Sequence, residues 1–300
     1  MDKQGASPKH EKANNVQVFT EDQLHYIRKG KRHQTILKSQ INEALNNNPF
    51  NSNYVISSLP GLGKSYETEL ALKNSQTPPL KFQGSANMSM FTIELATAVY
   101  LAGGQRLTVL LDDCDMLFEN KNVNSAKKMF DDTRSLKYNK NFRSLKGLCT
   151  ELQFSALESF SSDEKAGFSV PLDNVTFIIL TNRHFPTINE VEQQDVGSKK
   201  ESTLTDLHAI RRRTEYKEIA MENNELWGYV ANVVLNEKIC EKFKADISID
   251  VKNQMLTWCY NNWDKVTERN LSLIEKLTKD YVRYPNDYLD IWNTNYIQGE

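Results

Sequence analysis

The chain has 300 residues, 39% of them hydrophobic and 25% charged, with a formal net charge of −2. That is the balance of a globular protein long enough to bury a core without disulfide or metal staples, and it provides no bulk electrostatic pull toward nucleic acid or a membrane. The cysteines Cys114, Cys149, Cys240 and Cys259 form no C-x-x-C pair and have no histidine at metal-ligand spacing, so reduced thiols in a cytoplasmic, ATP-containing compartment are expected.

Residues 1–20 read as a disordered tail, because 1–16 hold little that can be buried and lack the apolar run of a secretory signal. No stretch approaches ~20 consecutive apolar residues, so no membrane association is expected. Leu37, Ile41, Ala44 and Leu45 recur at helical spacing and predict a helix over 33–47. Strand and helix then alternate: a strand at Tyr54–Ser58, a helix at Lys64–Leu72, a strand at 79–82 and a helix at 90–101. The apolar run Leu107-Thr108-Val109-Leu110-Leu111 ends in Asp112-Asp113, and a helix follows at 124–131. A second apolar run covers 175–180. Neither run shows period-2 alternation, as expected of strands covered on both faces, so the pattern predicts a parallel α/β sheet flanked by helices.

Two stretches interrupt the pattern. Residues 138–171 are mixed, with a helix expected at 144–160 and a loop at 161–167, and 189–202 read as a flexible loop. A short β segment follows at Glu215–Ile219. Beyond it the helical patterns at 227–243, 250–262 and 270–284 predict a small all-helical C-terminal domain over 221–300, behind an α/β domain over 21–220.

Between the first strand and its helix stands Ser58-Leu59-Pro60-Gly61-Leu62-Gly63-Lys64-Ser65, which matches G-x-x-x-x-G-K-[ST] except for Ser58 in the first glycine place. Gly61 and Gly63 allow the backbone to curl until successive N–H groups face phosphate oxygens, and the helix start beyond adds partial positive charge. Lys64 would reach the β- and γ-phosphates, and the Ser65 hydroxyl would ligate Mg²⁺. Ser58 stands where the loop calls for glycine if the backbone takes a positive φ.

The carboxylates leaving the 107–111 run supply the other half of such a site. Asp112 would reach the Mg²⁺ shell and Asp113 would activate water, with Asp115 a lesser third member. At the tip of the 175–180 run, Asn182, with Thr181 second, would contact the γ-phosphate or the attacking water. Arg211-Arg212-Arg213 would act as an arginine finger on a neighbour's phosphate, or else meet nucleic-acid phosphate. Arg269, at the start of a helix, invites an anionic partner against the dipole.

In this order the segments resemble AAA+ ATPases over roughly residues 34–292, and the wording Leu59-Pro60-Gly61-Leu62-Gly63-Lys64-Ser65-Tyr66 with Leu111-Asp112-Asp113-Cys114-Asp115 is most similar to small AAA+ ATPases of bacteriophages. The resemblance implies a P-loop AAA+ core with a helical lid, ATP and Mg²⁺ as cofactors, and nucleotide contacts through Ser58, Pro60, Gly61, Leu62, Gly63, Lys64, Ser65, Tyr66 and the lid's Arg269. It implies Ser65 and Asp112 as metal residues, Asp113 and Asn182 as catalytic ones, and Arg213 or Arg212 as the finger, although Asp113 stands where the family carries Glu. The implied activity is ATP hydrolysis that remodels a macromolecular partner, protein or DNA, in a homo-oligomeric ring, with DNA replication or related transactions as the setting. By the same resemblance, Met88 and Met90 in 83–90 would face a central pore. A nucleotide-dependent assembly module with slow or no hydrolysis is the alternative, and a nucleotide kinase a third reading.

Overall fold

A computed structural model of the chain describes residues 19–46, 53–73, 79–84, 87–119, 121–161, 167–193 and 199–298. The expected tail up to residue 18 lies outside them. The chain divides into two compact units: Arg32–Glu222, and Asn223–Glu300 together with the chain up to Lys31.

The first unit is built on a five-stranded parallel sheet in the order β2-β3-β6-β1-β7. The strands are β1 (Tyr54–Ser58), β2 (Leu80–Gln83), β3 (Leu107–Asp112), β6 (Val175–Thr181) and β7 (Glu215–Ile219). β1 and β7 match the sequence expectation residue for residue, and β3 and β6 each run one residue further. Every residue of β1 and β6 is buried, whereas the edge strands β2 and β7 are only partly buried and carry Lys81, Glu215, Lys217 and Glu218. Charge on an edge strand discourages pairing with another chain. Residues of one strand feed opposite layers: Val109, Leu111, Phe177 and Ile179 join the larger core, while Leu110, Ile178 and Leu180 pack with Leu37, Ile41 and Ala44 of α1 (Glu21–Asn46) on the other face. The unpatterned apolar runs are thus strands covered on both sides.

The helices of this unit are α2 (Lys64–Leu72), α3 (Met88–Ala102), α4 (Val123–Phe130), α5 (Glu151–Ser159), α6 (Ile188–Glu192) and α7 (Lys199–Arg211). Several boundaries correct the sequence reading, and capping explains them. α1 begins twelve residues before the expected start, because Thr20 and Gln23 cap it reciprocally, with Thr20 N–H donating to Gln23 Oε1 at 2.7 Å and Gln23 N–H to Thr20 Oγ1 at 3.2 Å. The same pairing of Thr150 with Gln153 starts α5 seven residues later than the expected 144–160 helix, behind a 3-10 turn at Phe142–Leu148. Glu190 accepts from both the amide and the hydroxyl of Thr187 and starts α6 inside what reads as a loop at 189–202, where α7 also begins. Residues 162–166 and 194–198 of the two expected loops lie outside the described residues.

The mixed stretch also contains an antiparallel pair that the sequence reading lacks, β4 (Ser135–Tyr138) with β5 (Phe168–Pro171). These strands are only four residues long and lie far apart in the chain, so no local turn signal links them.

The second unit is all helical: α8 (Asn223–Asn236), a 3-10 turn at Cys240–Lys242, α9 (Ile249–Asn262), α10 (Leu271–Arg283) and α11 (Tyr288–Asn295). The helix expected over 227–243 ends at Asn236, and α11 was not expected. Phe19 is buried against Trp227, with ring centroids 6.3 Å apart, so the chain at 19–20 belongs to this unit and not to a tail. All four tryptophans lie here, and each indole N–H has an acceptor: Leu256 O, Asn293 Oδ1, Asn223 O and Leu277 O for Trp227, Trp258, Trp263 and Trp292. None of the four cysteines is in a disulfide, and no helix among the described residues is long and apolar enough to cross a membrane.

Within this unit α1 and α8 meet through glycines. A Cβ added at Gly228 would lie 2.0 Å from Tyr26 O, and one added at Gly30 would lie 2.3 Å from the Gly228 carbonyl carbon. Both neighbours are backbone and cannot rotate away. Gly228→Ala is therefore expected to destabilise the chain by at least about 1–3 kcal/mol, as over-packing does. Gly147→Ala, whose Cβ meets nothing within 4 Å, serves as the control. Urea unfolding of both variants checks this, and equal midpoints would overturn it.

Candidate functional site

Parallel pairing places the ends of β1, β6, β3 and β2 on one edge of the sheet, with Ser57 opposite Thr181, Asp112 opposite Leu180 and Gln83 opposite Asp112. From the end of β1 the chain curls through Gly61 (φ 75°) and Gly63 (φ 74°) into α2. Both glycines occupy the left-handed region that residues with a Cβ avoid. Ser58 does not: it is the last residue of β1, so the serine in the motif's first place costs no backbone strain. Its hydroxyl instead accepts a hydrogen bond from Lys64 Nζ at 3.0 Å. Within the loop Leu62 is buried while Leu59 and Pro60 are exposed, and Tyr66 is exposed on α2.

Gly63 caps α2 without a side-chain hydrogen bond, so no N-cap side chain competes with an anion for the helix start. The Lys64 ammonium is buried and donates to Ser58 O (3.2 Å), Leu59 O (3.3 Å) and Asn182 Oδ1 (2.8 Å). Ser65 Oγ donates to Asp112 Oδ1 at 2.7 Å, and Gln83 Nε2 donates to Asp112 Oδ2 at 3.3 Å. Asn182 Nδ2 donates to Asp113 Oδ1 at 3.0 Å. Two hydrogen-bonded clusters, Ser58–Lys64–Asn182–Asp113 and Ser65–Asp112–Gln83, thus lie side by side through the Lys64-Ser65 and Asp112-Asp113 peptides, and together they hold six of the expected site residues. They also hold Gln83, which the resemblance places in a pore loop.

Burial sets the electrostatics. It lowers the pKa of Lys64, with Asp113 and Asp112 pulling the other way. It raises the carboxyl pKa of Asp113, opposed by Lys64 and reinforced by Asp112 and Asp115. Asp113 also has a left-handed backbone (φ 49°), a conformation that Asp tolerates better than most residues. An open cleft of about 900 Å³, lined by Asp113, Asp115, Asn87 and Met88 among others, gives solvent-side access to Asp113. Chemically, the group offers backbone N–H donors and an ammonium for an anion, a hydroxyl–carboxylate pair of hard oxygens for a divalent cation, and a second carboxylate with raised basicity.

The expected arginines are not among the residues joined by these bonds. Arg212 and Arg213 are exposed just past α7, and Arg213 donates back to Ala209 O at 2.7 Å. They precede Glu215, which pairs with Tyr54 at the start of β1, so they leave the sheet at the edge opposite Lys64 and Asp112. Arg269 belongs to the helical unit, where its guanidinium donates to Asn223 Oδ1 (3.2 Å) and Asp264 O (2.7 Å). Met88 and Met90 lie in the first turn of α3, half-buried against the larger core, and Ser85 and Ala86 of the expected loop lie outside the described residues. No protein-family model matches this chain, and no curated protein sequence matches it.

Beyond Asn182 the chain is tied by His184. Its Nδ1 lies 2.9 Å from Glu218 Oε1 and its Nε2 lies 2.9 Å from Glu190 Oε1. Burial pulls the His184 pKa down, but the two carboxylates outweigh burial and the net shift is upward. Glu190 is pulled down to about 2, chiefly by its bond from the Thr187 amide. A raised histidine contributes stability that is complete below its unfolded pKa of about 6.5 and is lost as pH rises through the folded value. The depressed glutamate contributes above about 4.3 and loses its share as pH falls toward its folded value. The melting temperature of His184→Gln is expected to lie furthest below wild type between about pH 4.5 and 6.5, with the gap closing by about pH 9. A gap independent of pH would refute the bridge.

Proposed function

We propose that this chain is a P-loop ATPase of the AAA+ kind, which binds ATP with Mg²⁺ and hydrolyses it to drive rearrangement of a protein or DNA partner. The observation that carries the reading is the convergence of Lys64, Ser65, Asp112, Asp113 and Asn182 at one edge of a parallel sheet, through hydrogen bonds of 2.7–3.0 Å between residues of three strand ends. A second support is the donor set. A helix start without a side-chain cap and a buried ammonium that meets neutral acceptors among the described residues suit a triphosphate, and a hydroxyl beside a carboxylate suits a small hard cation.

On this reading Ser65 and Asp112 hold Mg²⁺, which supplies charge neutralisation at the phosphates when bound. Lys64 and the amides of 61–65 orient the triphosphate. Asp113 takes a proton from water at Oδ2, the oxygen not engaged by Asn182, and Asn182 fixes the carboxylate that receives it. The resemblance assigns the helical unit a lid role with Arg269 as an ATP-binding arginine, and Arg212 or Arg213 a role on a neighbouring subunit of a ring. The assembly-module alternative draws on Asp113, which is one methylene shorter than the family's Glu and is already tied to Asn182.

Lys64→Ala is expected to weaken Mg·ATP binding by about 10- to 100-fold, the worth of a charge-assisted hydrogen bond to phosphate. Asp113→Asn should leave that affinity within about threefold and lower kcat by at least about 100-fold. Because the Asp113 pKa is raised, the acid limb of kcat should lie above the ordinary Asp value of about 3.9. Nucleotide titration and phosphate release measure these, with single-stranded DNA, duplex DNA or an unfolded protein added in turn and mass measured in ATP. Wild-type binding without turnover favours the assembly module, and no binding in wild type ends the ATPase reading.

A further inference from the structure

We propose that Asp115 and Arg183 form a positioning pair that sets the orientation of the Asn182 amide between Lys64 and Asp113. The inference rests on the ATPase reading for its kinetic consequence and on geometry for its mechanism. Asp115 opens a 3-10 turn just after the acidic pair, and each of its carboxylate oxygens has a separate task. Oδ1 accepts from Thr181 Oγ1 at 2.9 Å, and Oδ2 accepts from Arg183 Nε at 2.6 Å. Thr181 and Arg183 are the two chain neighbours of Asn182, so one carboxylate holds the side chains on both sides of it. Arg183 N–H also donates to Thr181 Oγ1 at 3.1 Å, and Arg183 O accepts from Ser57 Oγ of β1 at 2.7 Å. The Asn182 segment is thereby tied to the chain after β3 and to β1, its two neighbours in the sheet.

The Asn182 amide needs that restraint. Its oxygen must face the Lys64 ammonium (2.8 Å) while its NH₂ faces the Asp113 carboxylate (3.0 Å). The reverse orientation would set donor against donor and acceptor against acceptor. A small rotation or shift of the segment lengthens both bonds together, and hydrogen bonds weaken steeply away from good geometry. The ion pair itself does little for stability, since its side chains are 42% and 34% exposed and surface pairs contribute little. Thr181, by contrast, is fully buried, and its hydroxyl binds the same carboxylate, so what Asp115 holds is a segment with little freedom elsewhere.

The test compares Asp115→Asn, Arg183→Gln and the double variant with wild type. The expected result is a kcat for ATP at least about tenfold lower in each single variant, with Mg·ATP affinity within about twofold of wild type. The double variant should be no slower than the slower single, because both changes release the same segment. Arg183→Lys should recover part of the loss. A second readout does not need turnover: the side-chain NH₂ signals of Asn182 in ¹⁵N spectra, assigned by their absence in Asn182→Ser. In wild type they should be shifted from the free-amide position, and in Asp115→Asn they should move toward it. A wild type without turnover would retire the ATPase reading and leave the pair to be judged on these signals. Unmoved Asn182 signals in Asp115→Asn, or multiplicative kcat losses in the double variant of an active enzyme, would overturn the pair.

Discussion

Ser65 Oγ lies 2.7 Å from Asp112 Oδ1, and the strand order makes that bond demanding. Ser65 follows β1, Asp112 ends β3, and β6 lies between them, so the two chains leave the sheet roughly 10 Å apart. The hydroxyl reaches the carboxylate only because the loop after β1 turns back over the tip of β6, and the turn needs the left-handed backbone at Gly61 and Gly63. Whatever residue ends β6 must then lie beneath that crossing. Asn182 occupies this place, which is why it touches both Lys64 and Asp113. The contacts of the site follow from a strand order and two glycines.

The charges are arranged to be exchanged. Lys64 is buried, yet its ammonium is held by two carbonyls, a hydroxyl and an amide oxygen, with both aspartates acting on it only through space. Neutral acceptors bind an ammonium less strongly than a carboxylate or phosphate does. Moving it onto an incoming anion therefore costs no buried ion pair, whose disruption would leave an uncompensated charge. Among the described residues Asp112 likewise accepts from uncharged donors, Ser65 and Gln83, so a cation arriving there displaces none of them as a resident charge. Asp113 differs: burial raises its pKa and Asn182 occupies one of its oxygens, which leaves the other as the basic position in the group.

What the sequence made legible is what local chemistry determines. β1, α2 and β7 are bounded as expected, and Lys64, Ser65, Asp112, Asp113 and Asn182 could be named because each sits in a motif or at the end of an apolar run. The misses have two causes. Capping by Thr20, Thr150 and Thr187 decides where α1, α5 and α6 begin, and those T-x-x-[QE] signals are local, whereas the hydrophobic period alone sets no start. The β4–β5 pair, Gln83 and Arg183 depend on non-local pairing. Nothing near Gln83 in the chain says that β2 lies beside β3 and brings its amide to Asp112. Asp115 was visible as a nearby carboxylate, but its work on the Thr181 and Arg183 side chains requires β6 to be the neighbour of β3.

The arginines after α7 show what strand polarity alone can decide. Since β7 runs parallel to β1 and starts at Glu215 opposite Tyr54, Arg212 and Arg213 stand where the strands begin, while Lys64 and Asp112 stand where they end. A five-residue strand spans about 17 Å, more than twice the reach of an extended arginine side chain of about 7 Å. Neither arginine can therefore touch an anion held by Lys64 of its own chain while the sheet is intact. Any transition-state charge they stabilise belongs to a second copy, presented at the opposite sheet edge. The ATPase reading therefore needs a second copy of the chain for either arginine to act on phosphate, and a contact between unlike surfaces is the kind that would bring it there.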